Sequence, residues 1–108
     1  MCARLHIIEE SKLGYLARCE QCETYNLAFG TLLQVLTEDD ILLLSEQLAK
    51  SRSRVSEDTC PRAKTFLYRL NEAGTVQMIL SLNEVIELES MVNKTLTLME
   101  AKKILDAE

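Results

Sequence analysis

The clearest alternation of apolar and polar residues in this chain lies near the middle of its first fifty residues. Tyr25, Leu27 and Phe29 stand at period two, which is the pattern of a strand with one buried face. Gly30 interrupts the alternation, and a second apolar run then resumes it. Because a glycine inside a strand often marks a bulge, the pattern predicts one strand at about residues 24–36.

Shorter apolar stretches predict four further strands. Two lie at about residues 4–10 and 14–20, and they form a three-stranded meander with the strand described above. The other two lie at about 65–70 and 76–80. We expect a hairpin turn between this last pair, because Asn71-Glu-Ala-Gly74 supplies the residues that such turns use.

Two helix starts are visible from their capping residues. Thr37 precedes three acidic residues, which suits the N-terminus of a helix that continues to about Ala49. Ser81-Leu-Asn-Glu84 has the spacing of a capping box and precedes a second apolar-periodic stretch. That stretch predicts either two short helices, at about 82–92 and 96–106, or one kinked helix.

The element order is therefore βββ-α-ββ-α within a single domain, 1–108. This order predicts an α+β fold, in which an antiparallel sheet of about five strands carries the helices packed on one face. The opposite face would carry apolar residues such as Leu16, Leu32, Leu67 or Ile79, depending on register. A sheet that is apolar on both faces needs a partner, so we expect a homodimer.

Composition and charge narrow the function classes. The net charge of −5 makes nucleic acid an unlikely partner. No apolar run reaches the roughly 18–20 residues of a membrane span, and the N-terminus lacks the apolar core of a signal peptide. We therefore expect a cytoplasmic protein. Segment 50–64 is locally basic, so Arg52, Arg54 and Arg62 could contact an anion, or they could simply be solvated.

Four cysteines provide the main candidate chemistry, and Cys19-Glu-Gln-Cys22 is the one motif among them. Two thiols at this spacing could fill small buried sites, could form a reversible disulfide, or could bind a metal such as zinc. Zinc needs four ligands, so Cys2, His6 or Cys60, or a second chain, would have to complete the site. Thioredoxin-like chemistry fits less well, because the flanking residues predict strands rather than a helix N-terminus.

No catalytic set can be argued from spacing, so an enzyme is not the favoured class, although a small enzyme acting on an anionic ligand stays open. The string GYLARCEQCETYNLAFGTLLQVLT and the later LSLNEV resemble a small bacterial family of uncharacterised proteins. Such proteins share a C-x-x-C hairpin and an apolar-Phe-Gly strand. The resemblance implies a fold and no activity. We therefore predict a non-enzymatic binding domain, with a metal- or redox-linked accessory protein using Cys19 and Cys22 as the alternative.

Overall fold

The computed structural model describes residues 5–106, which form six strands and two helices. In chain order the elements are β1 (Leu5–Ser11), β2 (Gly14–Cys19), β3 (Tyr25–Phe29), β4 (Leu32–Leu36), α1 (Glu38–Arg52), β5 (Phe66–Arg69), β6 (Gln77–Leu80) and α2 (Leu82–Asp106). Strands β1 to β4 make a four-stranded antiparallel sheet in the order β1-β2-β3-β4, and β5 pairs with β6 in a separate two-stranded sheet.

The expected single sheet of about five strands is wrong in two respects: the strands form two separate sheets, and there are six of them in residues 5–106. Gly30 is the reason for the extra strand. The chain does not continue through Gly30 as a bulged strand. It reverses there, so that Phe29 pairs with Leu32 across the two residues Gly30 and Thr31. The φ angle of Gly30 is 61°, which is the left-handed conformation that tight two-residue hairpins use. The stretch predicted as one strand is therefore the β3–β4 hairpin.

A bulge does occur in the sheet, but it lies in β1. Ile7 pairs with Ala17 and Glu9 pairs with Leu16, so that Ile8 is the extra residue. An extra residue shifts the alternation of the strand. Ile8 is consequently buried in the core, whereas its neighbour Ile7 is half exposed on the opposite face.

Both helices begin at the residues that the capping pattern indicated. The Thr37 hydroxyl accepts the backbone N–H of Asp40 at 3.2 Å, and the Asp40 carboxylate accepts the backbone N–H of Thr37 at 3.0 Å. Ser81 and Glu84 make the same reciprocal pair at the start of α2. These bonds satisfy backbone donors that a helix start leaves without intrahelical partners.

Helix α2 is one continuous helix of 25 residues rather than two short ones. The predicted break falls near Thr95, which is fully buried and donates its hydroxyl to the Met91 carbonyl at 2.9 Å. This bond satisfies the hydroxyl inside the helix, so no interruption is needed. Despite its length, α2 lacks the apolar run that a bilayer requires, and the same holds for α1, the other helix within residues 5–106.

The core lies between the helices and one face of the sheets. One cluster joins Leu16 of β2 and Leu27 of β3 with Leu44 of α1 and Leu88 of α2, all at most 1% exposed. Tyr68 brings β5 into the same cluster and is itself 1% exposed. The helices therefore pack on one face, as expected. The opposite face of the four-stranded sheet exposes Ile7, Leu33 and Val35 at its edges, while Ala17 and Asn26 at its centre are buried.

The side chain of Gln47 on α1 hydrogen-bonds to the backbone of the β5–β6 hairpin, as a neighbouring strand would. The Gln47 amide donates to the Arg69 carbonyl at 2.8 Å and accepts the Arg69 backbone N–H at 2.9 Å. Both backbone groups of that edge residue are therefore satisfied by α1. Gly74, at φ 70°, turns the chain from β5 to β6, in agreement with the predicted turn.

Candidate functional site

The Cys19–Cys22 motif forms the loop between β2 and β3. The backbone N–H of Cys19 donates to the Thr24 carbonyl at 2.8 Å and closes this loop. The backbone N–H of Cys22 donates to Cys19 Sγ at 3.3 Å, and Glu23 takes a left-handed φ of 55°. Cys19 is fully buried, Cys22 is exposed, and both are disulfide-bonded in the structure. The motif therefore runs from the last residue of β2 into the connection to β3, and the choice among its chemical roles stays a prediction.

The other predicted metal ligands are spread over the molecule. His6 lies on β1 opposite Arg18, whereas Cys60 is a free, exposed thiol in the connection between α1 and β5. Cys2 lies outside the described residues. In the part of the chain that the structure covers, no three His, Cys, Asp or Glu side chains are placed to hold a metal ion. Zinc binding by these residues stays a prediction.

The three arginines proposed for anion binding do not share one surface recess. Arg52 makes an ion pair with Glu89 of α2 at 3.8 Å, which ties the end of α1 to its neighbour. Arg54 lines a recess of about 610 Å³ beside Cys60 and Asp58, and Arg62 is exposed outside that lining. Their joint action on an anion stays a prediction, and the Asp58 carboxylate beside Arg54 weakens the attraction.

The face of the four-stranded sheet that points away from the helices carries apolar side chains on all four strands. One cross-strand row runs from Ile7 through Ala17 and Asn26 to Val35. We call this face, with the adjoining residues of the same alternation, the outer sheet face. It consists of Leu5, Ile7, Glu10, Tyr15, Ala17, Asn26, Ala28, Leu33 and Val35.

Apolar side chains stand at both edges of the outer sheet face. Ile7 on β1 is 51% exposed, and Leu33 and Val35 on β4 are 48% and 53% exposed. Leu16 and Leu32, which the sequence had placed here, belong to the core side because they pair with Leu27 and Phe29. A single-residue difference in strand position reverses the face of every side chain.

A second feature is an apolar cleft of about 360 Å³ between the sheet and the last turns of α2. Its sheet wall is built from His6, Arg18 and Tyr25, which are cross-strand neighbours on β1, β2 and β3. Its helix wall includes Met99 and Lys102. We call this feature the helix-end cleft.

Tyr25 and Arg18 interact directly at the floor of the helix-end cleft. Burial and the nearby Glu38 carboxylate raise the pKa of the Tyr25 hydroxyl, although the Arg18 guanidinium, which hydrogen-bonds to it, acts in the opposite direction. Tyr25 therefore stays neutral around pH 7, and Arg18 supplies a fixed positive charge at the site. Sequence analysis missed this pair, because it depends on strand register and on how far α2 extends.

Comparison with known proteins gives a family and no characterised relative. A protein-family model matches the chain over residues 1–108. No curated protein and no solved structure matches the chain.

Proposed function

Since the chain belongs to a family of unknown function (DUF6686), we propose a role from its own structure: it is a non-enzymatic binding domain that acts as a homodimer. The observation that carries this proposal is the outer sheet face, whose edges expose Ile7, Leu33 and Val35 to solvent. Exposed apolar side chains on a flat sheet face lower the free energy when a partner covers them. The cytoplasmic location expected from the sequence belongs to the same proposal.

The shape of the outer sheet face supports a second copy as the partner. Its two edges carry large apolar side chains, while the middle strands contribute Ala17 and Ala28 together with Asn26 and Tyr15. Along the row from Ile7 to Val35 the face is therefore a shallow trough between two ridges. In a two-fold dimer the same patch meets itself, so a ridge of one protomer can lie in the trough of the other.

Charge supports the same partner. Glu10 is the one acidic or basic side chain among the residues of the outer sheet face, and it lies at one end of it. Two copies can therefore meet without placing like charges opposite each other. The remaining acidic surface, which gives the chain its net charge of −5, would stay in solvent.

The area of the outer sheet face sets the expected affinity of the dimer. Four strands about 4.8 Å apart, with five residues each rising about 3.3 Å, cover roughly 300 Å² per protomer. A standard interface buries about 800 Å² per partner. The outer sheet face alone is therefore small, and we expect a reversible dimer with a dissociation constant in the micromolar range.

Sedimentation equilibrium across a concentration series tests the proposal. The wild-type chain should shift from 12.3 kDa towards twice that mass as its concentration rises. Leu33→Lys and Val35→Lys should weaken the dimer by about tenfold or more, because each variant buries an unpaired charge in both protomers. Leu42→Lys is the matched control, since Leu42 is 46% exposed on helix α1 and lies outside the outer sheet face.

A monomer at all concentrations up to about 100 times the expected micromolar dissociation constant would refute the proposal. So would equal weakening by Leu42→Lys, because that result would place the interface on the helices. Thermal unfolding of each variant shows whether the fold is intact, and we expect little change because both β4 positions are about half exposed.

A further inference from the structure

The helix-end cleft lies where the buried part of α2 ends. The last buried residue of the helix is Met99, which is 6% exposed, and every residue from 100 to 106 is exposed. The last turns of α2 nevertheless face the sheet, because Lys102 and Leu105 line the same cleft of about 360 Å³ as Arg18 and Tyr25.

Most of the wall of the helix-end cleft is apolar. Ile8 and Met99 contribute buried side chains at its base. Leu98 and Leu105 lie two turns apart on the same side of α2 and are 46% and 69% exposed. Such exposure costs free energy in water, so a molecule with an apolar body would be stabilised here.

Cationic groups lie along the same wall. Arg18 is half-buried and lies beside Tyr25, its partner across the β2–β3 pair. Lys102 approaches from α2, and His6 adjoins Arg18 across the β1–β2 pair. Asp106 is the acidic group of this lining, so the fixed cations outnumber it by two to one.

We propose that the helix-end cleft is a binding site for a small apolar anion, with the acidic head on Arg18 and Lys102 and the apolar body against Ile8, Leu98 and Leu105. An adjoining recess gives the orientation. It shares Arg18 and Lys102 with the cleft and also carries the carboxylates of Glu23, Glu38 and Asp39, so the acidic head has to bind these two cations from the side that faces the apolar cleft. The outer sheet face lies on the opposite side of the sheet, so this site does not depend on the proposed dimer.

The size of the cleft selects the probe. A volume of 360 Å³ corresponds to on the order of twelve water molecules at their liquid volume of about 30 Å³ each. A ligand with a similar number of non-hydrogen atoms would fill it, and cavities of this size are at the lower end of known ligand sites. Decanoate meets both the size and the charge requirement, and decan-1-ol is its uncharged counterpart.

Titration of the ¹⁵N-labelled full chain with decanoate, followed by amide chemical shifts, tests the site. We expect saturable shifts at residues 6, 18, 25 and 98–105, and decan-1-ol should bind at least about tenfold more weakly. Arg18→Gln should weaken decanoate binding roughly 10- to 100-fold. Arg62→Gln, an exposed cation outside the cleft, should leave the affinity unchanged.

Lys102→Gln is the second variant, since Lys102 is exposed on the helix and its replacement leaves the core intact. We expect it to weaken decanoate binding roughly three- to tenfold. The proposal is overturned if decan-1-ol binds as tightly as decanoate, or if neither variant changes the affinity. It is also overturned if the shifts concentrate at Leu33 and Val35, because the ligand would then cover the outer sheet face.

Discussion

Replacement of Gly14 by alanine should be among the most destabilising single substitutions in this protein. Gly14 begins β2 and pairs with Phe29 of β3. A Cβ atom added at Gly14 would lie 1.8 Å from the Ala28 carbonyl oxygen and 2.6 Å from its carbon. Both atoms belong to the backbone of the neighbouring strand, so a change of side-chain rotamer cannot relieve the overlap.

The geometry sets the expected magnitude. Ordinary contacts of a Cβ atom begin above 3.0 Å, so β2 and β3 would have to separate by more than 1 Å at this pair. That separation breaks one or two ladder hydrogen bonds, worth about 1 kcal/mol each. It also loosens the packing of Phe29 in the core. We expect Gly14→Ala to lower the free energy of unfolding by at least about 3 kcal/mol.

Gly30→Ala is the matched control, because the same methyl group is added to a glycine that directly follows Phe29, the strand partner of Gly14. Nothing lies within 4 Å of its Cβ position, and only the φ of 61° opposes the substitution. A left-handed alanine costs about 1–2 kcal/mol. Urea unfolding followed by circular dichroism measures both variants, and a loss for Gly14→Ala no larger than for Gly30→Ala would refute the reasoning.

Three further predictions concern a cap, a buried phenol and the thiols. Ser81→Ala should lower the free energy of unfolding by about 0.5–2 kcal/mol in urea titrations, because it removes one half of the α2 capping box. Burial raises the pKa of Tyr68 above 10.0, so the unfolded chain ionises first and stability should fall above about pH 10. Thermal unfolding of Tyr68→Phe should show a smaller fall, and an equal fall would contradict this origin. A chelator should leave the melting temperature unchanged, whereas stoichiometric zinc that is lost in Cys19→Ala would establish a metal site.

Local signals predicted most of the secondary structure. Thr37 and Ser81 identified the two helix starts because a cap needs only its own neighbours along the chain. Gly30 was misassigned because a bulge and a two-residue turn both use a glycine at positive φ, and strand pairing decides between them. Sequence analysis also left undecided whether the last segment forms one helix or two. The Thr95 hydroxyl can either cap a new helix or donate to the Met91 carbonyl within a continuous one.

The candidate sites depend on contacts that are distant in sequence. His6, Arg18 and Tyr25 are separated along the chain and become neighbours through the register of β1, β2 and β3. The outer sheet face needs the same register, and the extra residue at Ile8 changes which β1 side chains reach it. Sequence analysis could therefore expect an apolar outer face without identifying its members.

Isotope-filtered nuclear Overhauser spectra of a mixture of labelled and unlabelled chains test the central claim most directly. At concentrations where the dimer is populated, the account predicts intermolecular contacts among the side chains of Ile7, Leu33 and Val35. Intermolecular contacts confined to Leu98, Ile104 and Leu105 at the end of α2 would contradict it, because a second copy would then cover the helix end instead of the outer sheet face.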